Sequence, residues 1–190
     1  MTVEEVFSKI AEHMVNGMMF HEQMANYYDF LGLQGYKRCH EYHYLSETCA
    51  YRGICRYYIN HYNKLIPEMR FDNVSVIPTN WYSHVRGDVD TNTKRKSVQS
   101  GLEKWVNWEK ETKELYEQMY NELLDNNEVA GAMKIKELIC DVDNELKKAE
   151  RYWLNKKATD YNISDIISEQ KSKHRKYKKK MEKEIMVKIC

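Results

Sequence analysis

The sequence predicts an all-α fold: an antiparallel four-helix bundle with a long crossover between the second and third helices and a C-terminal fifth helix. Three observations predict it. Only two prolines and seven glycines occur in 190 residues, and both residue types break helices. Apolar residues recur at intervals of three and four through four long segments. Short turn signals separate the first segment from the second and the third from the fourth, which makes each pair antiparallel neighbours. The expected division is a bundle over residues 1–160, with its crossover at about 67–98, and a basic helix over 161–190.

Thr2 and Glu5 form a capping-box pattern that opens the first helix. Its stripe is Val3, Val6, Ile10, Met14, Met18, Ala25 and Tyr28, and Leu31-Gly32-Leu33-Gln34-Gly35 ends it. The second helix is expected from about Tyr36 to Leu65, along Tyr36, Cys39, His43, Glu47, Ala50, Ile54, Tyr57, His61 and Leu65, with Pro67 as its stop. Residues 67 to about 98 lack a helical period. Phe71–Ile77 could form a short extended piece, and Trp81-Tyr82 could pin the crossover to the bundle. A connection of this length inside one domain needs a reason, and a crossover running along a bundle supplies one.

The third helix is expected from about Ser97 or Ser100 to Leu124, with a stripe at Leu102, Trp105, Glu109, Thr112, Tyr116, Met119 and Leu123. Asp125-Asn126-Asn127 punctuates it. The fourth runs from about Val129 to Lys156 through Ile135, Leu138, Val142, Glu145, Ala149 and Tyr152. After Tyr161-Asn162-Ile163-Ser164, Ser164 is the expected cap of the fifth.

The net charge of +1 gives no global field that argues for nucleic acid or an acidic substrate. Five cysteines, none in C-x-x-C spacing, argue against a disulfide framework or a zinc knuckle and fit a reducing cytosol. The first residues do not read as a signal peptide, and no stretch approaches the roughly 20 apolar residues of a membrane span.

Ionisable residues fall within the apolar stripes: Glu22 beside the first, His43 and Glu47 in the second, Glu109 in the third and Glu145 in the fourth. A buried carboxylate costs several kcal/mol unless it is paired, hydrogen-bonded, protonated or metal-bound. Their heights agree. Glu22 and Leu45 lie equally far from the first turn, and Glu109 and Asn144 equally far from the second. An error of two residues is only about 3 Å along a helix. One layer should therefore hold four carboxylates and an imidazole.

Glu22-Gln-Met-Ala-Asn-Tyr-Tyr, Trp108-Glu109-Lys110 and Asp143-Asn144-Glu145-Leu146-Lys147, taken with the crossover and the fifth helix, resemble the ferritin-like superfamily over about residues 8–170. The resemblance implies a metal site of Glu22, His43, Glu47, Glu109 and Glu145 holding one or two ions of iron, or of manganese or zinc, and a homo-oligomer. If the site is active, oxidation of Fe(II) or reaction with oxygen is implied. The sequence departs from the pattern, since such di-iron sites take a Glu-x-x-His pair from each of two helices. Glu47 is followed three residues later by Ala50, Glu41 by Tyr44 and Glu145 by Lys148; the second helix offers His43-x-x-x-Glu47 instead, and Asp141 could join Glu145. The alternative is a metal-free interaction bundle whose carboxylates are satisfied by tyrosine hydroxyls or buried water.

Other candidates have plainer readings. His40 with His43 reads as a half-exposed surface pair, and Met14, Met18, Met19 and Met24 as core; the cysteines at 39, 49, 55 and 140 read as core filler. Lys171–Lys183 holds eight Lys or Arg and one acid, Glu182. Such a run suits a solvated helix end or a contact with nucleic acid or an anionic surface.

Overall fold

The computed structural model describes residues 1–66 and 88–188, with side chains as far as Lys183. Five helices follow in chain order: α1 Val3–Phe30, α2 Gln34–Tyr62, α3 Thr91–Asp125, α4 Val129–Ala158 and α5 Ile163–Lys188. The fold class is the one the periodicity predicts. The expected extended piece at Phe71–Ile77 and the Trp81-Tyr82 anchor lie outside the described residues.

The helix ends follow from local chemistry. Thr2 Oγ1 accepts from the Glu5 amide at 3.2 Å, and Glu5 Oε2 accepts from the Thr2 amide at 2.8 Å, completing the capping box. Three turns then share one device. Gly32, Asn127 and Asp160 each take a left-handed backbone conformation just past a helix end. In each case the following amide reaches back to the last turn: Leu33 to the Tyr28 carbonyl, Glu128 to Leu123 and Tyr161 to Lys156, at 2.7–2.8 Å. These are Schellman closures, which satisfy orphan carbonyls and reverse the chain in few residues.

Three expected boundaries are corrected. The second helix stops at Tyr62, where Asn63 turns left-handed, rather than running on to Leu65. The third begins at Thr91, several residues before Ser97, because Asp90 caps it and accepts from the Thr93 amide at 2.9 Å. Residues 91–98 are therefore helix, not crossover; the Asp-Val-Asp-Thr-Asn-Thr run that lacks an apolar period contains the cap. The fifth helix is opened by Asn162, whose side chain accepts from the Ser164 amide at 2.8 Å, and not by Ser164.

α1 packs along α2, and α3 along α4. α1 meets α3 closely, whereas no Cα of α2 comes within 8 Å of one in α4. α5 fills part of that gap, lying against α2 and touching α3. It is anchored by the fully buried Ile166 and Tyr177 and by Lys156, whose Nζ donates to Glu169 at 2.6 Å. Lys173 of α5 is buried with its ammonium 4.2 Å from the Tyr36 ring centre and 3.8 Å from that of Tyr152.

The core consists of two apolar clusters. One contains Phe20, Met24, Tyr28, Tyr36, Leu102, Trp105 and Ala149. The other contains Phe7, Ile10, Met14, Ile54, Tyr116, Met119, Ile135 and Val142. On every bundle helix the two are separated by a short stretch, and those stretches carry His43, Glu47, Glu109 and Glu145. A polar layer thus crosses the middle of the bundle, where burial makes charge most costly.

Candidate metal centre

α2 brings His43 and Glu47 to the layer one helical turn apart on the same face. α3 contributes Glu109, which is 4 % exposed. It is held by Trp105 one turn away, whose indole Nε1–H donates to Glu109 Oε1 at 2.8 Å. α4 contributes Glu145, half-buried, with Oε2 3.6 Å from His43 Nδ1. α1 contributes space: a Cβ on Gly17 would lie 3.4 Å from Glu47 Cδ and 3.3 Å from the Trp108 ring, so a larger residue would press on both.

Glu47, Glu109 and Glu145 line one cavity of about 330 Å³ together with Met14, Thr112 and Tyr116. A cleft of about 450 Å³ in the α2–α4 gap shares Ser46, Ala50, Leu138 and Asp141 with that cavity and opens it towards Arg52, Arg56 and Lys134. Glu109 is therefore buried, Glu47 and Glu145 are half-buried, and the cavity they line is reachable by a small ion.

Electrostatics reflects the crowding. Burial, with the charges of Glu47 and Glu145, pushes the Glu109 carboxyl up to about 8, although the Trp105 hydrogen bond and Lys148 pull the other way. Burial and then Glu145 push Glu47 up to about 7. Lys148 Nζ donates to Glu145 Oε1 at 2.6 Å from one turn along α4.

Beside the carboxylates lies an imidazole cluster. His21, His40 and His43 are all buried. His21 lies with its ring centre 5.2 Å from those of both His40 and His43. His21 Nδ1 and His40 Nδ1 are hydrogen-bonded at 3.0 Å. Trp105 packs 5.0 Å from His43 and 5.3 Å from His40. Burial holds His21 down to about 3 and drives His40 and His43 well below the ordinary imidazole value, so all three are neutral at physiological pH. His43 Nε2 is buried without a hydrogen-bond partner among the described residues. On the far side of the layer His13 stacks on Trp108 at 4.6 Å and shares a 2.7 Å hydrogen bond with Thr112 Oγ1.

Of the five residues expected in the layer, Glu47, Glu109 and Glu145 line one cavity, while His43 stands outside its lining and approaches Glu145 alone, at 3.6 Å. Glu22 does not join them: it is half-buried and accepts a 3.4 Å hydrogen bond from Asn26, one turn away on the same helix. His21 takes the inward place that α1 offers. The reading of His40 and His43 as a half-exposed surface pair is corrected, since both are buried against Trp105, and His40 also against Tyr28. Met19 and Cys140 are likewise exposed rather than core. His21 has no place in the sequence-based expectation, and Lys148 enters it only as a departure from the Glu-x-x-His pattern. A signal for His21 exists in the buried series Met14, Gly17, His21, Met24, Tyr28, spaced by three and four.

The donor types fit a divalent first-row metal: carboxylates and neutral imidazole suit iron, manganese or zinc. Among the described residues, no three His, Cys, Asp or Glu side chains are close enough together to hold an ion as they stand. No helix among them is long and apolar enough to cross a membrane.

No protein-family model matches the sequence, and no curated protein matches it. Solved structures do match the fold. An open-pore ferritin from the hyperthermophilic archaeon Archaeoglobus fulgidus superposes with a TM-score of 0.73 at 11 % identity, covering 90 % of this chain and 95 % of that one. A closed form of the same ferritin, engineered by site-directed mutagenesis, gives 0.72 at 11 % identity over 90 % and 94 %. A humanized archaeal ferritin gives 0.72 at 10 % identity over 90 % and 94 %. The chain has a ferritin-like fold.

Proposed function

We propose that this ferritin-like bundle binds a divalent metal, iron before manganese or zinc, in its central polar layer, with Glu47, Glu109, Glu145 and His43 as ligands. The observation that carries the reading is the convergence of three carboxylates on one half-closed cavity. Like charges at such a place repel, and a dication offsets their repulsion and their lost hydration together. Glu22 is left out, because its carboxylate bonds to its own helix. The ferritin fold of the neighbours favours iron.

Each neighbouring residue has a part in this reading. Trp105 fixes one oxygen of Glu109 and leaves the other for an ion. Gly17 leaves room for Glu47 over α1. The cleft towards Asp141 and Arg52 gives ions a path from solvent. Bound iron supplies one-electron chemistry, and Fe(II) oxidation is the activity to assay. Self-association accompanies the proposal, since Met19, Val129, Met133, Leu154 and Ile167 are large apolar side chains exposed on the single chain. Cys39, Cys49, Cys55 and Cys140 are all free thiols, which suits a reducing compartment.

One observation favours a metal-free bundle instead: Glu145 already has a cation in Lys148. In that reading the exposed Lys171, Arg175, Lys178 and Lys179 of α5 form the working surface, as a contact for nucleic acid or an anionic surface.

The test is elemental analysis after loading with Fe(II) without oxygen, or with Mn(II), followed by desalting. About one or two ions per chain, the capacity of a bundle-core site, should remain, and the double variant Glu47→Gln/Glu109→Gln should retain none. An unloaded wild-type chain would overturn the reading.

A further inference from the structure

Lys148 is the residue that the di-iron pattern does not foresee. It stands three residues after Glu145, where that pattern places a histidine ligand, and its ammonium bonds both Glu145 oxygens. The side chain is three-quarters buried, at 25 % exposure. Its charge is felt at Glu109 and His43 as well as at its direct partner. This is an internal cation of the layer rather than a surface lysine that happens to find an acid.

The charge count gives this a consequence. With all three carboxylates ionised, as ligation of a metal requires, they carry three negative charges, and Lys148 cancels one of them. A single divalent ion brings the layer to neutrality with Lys148 still in place. A second would leave an excess of two positive charges in a half-closed cavity, where unit charges a few ångströms apart interact far more strongly than in water. Lys148 also clasps Glu145, and among the described residues no three candidate donors close on a point.

We infer that Lys148 takes the place of a second metal ion, limiting the layer to one divalent cation and lowering its affinity for that one. The inference rests on the carboxylate layer being the metal site, and it says what kind: a one-metal site with a resident ammonium.

Manganese(II) titration of the purified chain, read by isothermal calorimetry with elemental analysis of the saturated sample, tests it with Lys148→Met and Lys148→Arg alongside. Mn(II) is used because it stays divalent. Wild type should saturate at one ion. Lys148→Met, which keeps most of the length and loses the charge, should bind at least tenfold more tightly, and Lys148→Arg should bind like wild type. Melting followed by circular dichroism should show that saturating Mn(II) raises the midpoint of Lys148→Met more than that of wild type. Two ions in wild type, or equal affinity in wild type and Lys148→Met, would overturn the inference while leaving the metal site standing. Binding by Lys148→Met alone would overturn both the wild-type metal reading and the one-ion limit, Lys148 then being the layer's permanent cation. Binding by neither would overturn both.

Discussion

Replacing Glu109 with glutamine should make the metal-free protein more stable, and more so as pH rises. The substitution preserves shape, and its amide oxygen can still accept from Trp105 Nε1–H. What it removes is the capacity to ionise. Burial and the neighbouring acids raise the Glu109 carboxyl from its ordinary 4.5 to about 8 in the folded chain. Between those values the native state holds a proton that the unfolded state has released. The unfolded state then binds fewer protons, so wild-type stability falls with pH across that window and levels off above it. At about 1.4 kcal/mol per pH unit, the ceiling on that loss is about 5 kcal/mol. Glu47 shares the same repulsion and the cavity is open to water, so a gain of about 2–4 kcal/mol is expected, in line with other replacements of buried charge. For a chain of this size each kcal/mol moves the melting midpoint by about 2–4 °C. Urea unfolding with chelator present, at pH 4.5, 6.5 and 8.5, reads the difference directly. Glu109→Gln and wild type should differ least at pH 4.5, and the variant should be clearly the more stable at pH 8.5. Parallel pH profiles, or a variant that loses stability at pH 8.5, would show that Glu109 does not carry an unrelieved charge.

The same carboxyl values govern metal uptake. Protons compete at Glu47, held up to about 7, and at Glu109, held up to about 8, so Mn(II) affinity should rise at least tenfold per pH unit below pH 7; an indicator competition that gives a flat profile from pH 5.5 to 7 would contradict the site. Gly101→Ala should destabilise by about 1–3 kcal/mol, because a Cβ there would lie 2.1 Å from the Tyr28 hydroxyl; an unchanged urea midpoint would mean that α1 and α3 do not cross there. Asp90→Ala should cost about 1 kcal/mol through loss of the α3 cap, and hydrogen exchange at residues 91–96 should quicken if the helix begins at Thr91. Tyr177→Ala should cost about 3–5 kcal/mol, as large aromatic truncations in a core do, and should leave a single cooperative transition; a separate early transition would show that α5 unfolds independently of the bundle.

The fold was legible because the strongest signal was periodic and long. Every residue of the stripe read for the third helix, from Leu102 to Leu123, is buried, Glu109 and Thr112 included. The Asn126-Asn127 and Gly32 turns were legible because their residue types tolerate the left-handed conformation that a Schellman closure demands. The start of α3 was not, because Asp90 and the residues after it carry capping chemistry without an apolar period.

At the site, height along the bundle was easier to read than direction around a helix. Glu22 and His21 differ by one position and so by about 100° of azimuth. A carboxylate looks more like a ligand than a histidine does, and the sequence reading chose the acid although the buried spacing runs through His21. Lys148 was visible as a departure from the di-iron pattern. Its role as the partner of Glu145 needed the helix geometry, which turns a missing histidine into a resident charge.

The most direct test of the metal centre is anomalous diffraction from crystals grown near pH 8 and soaked in Mn(II), with data collected on either side of the manganese edge. The account predicts one anomalous peak per chain, bounded by the carboxylates of Glu47, Glu109 and Glu145 and near His43. A peak only at the protein surface, or none in crystals that diffract well enough to show the side chains, would contradict it.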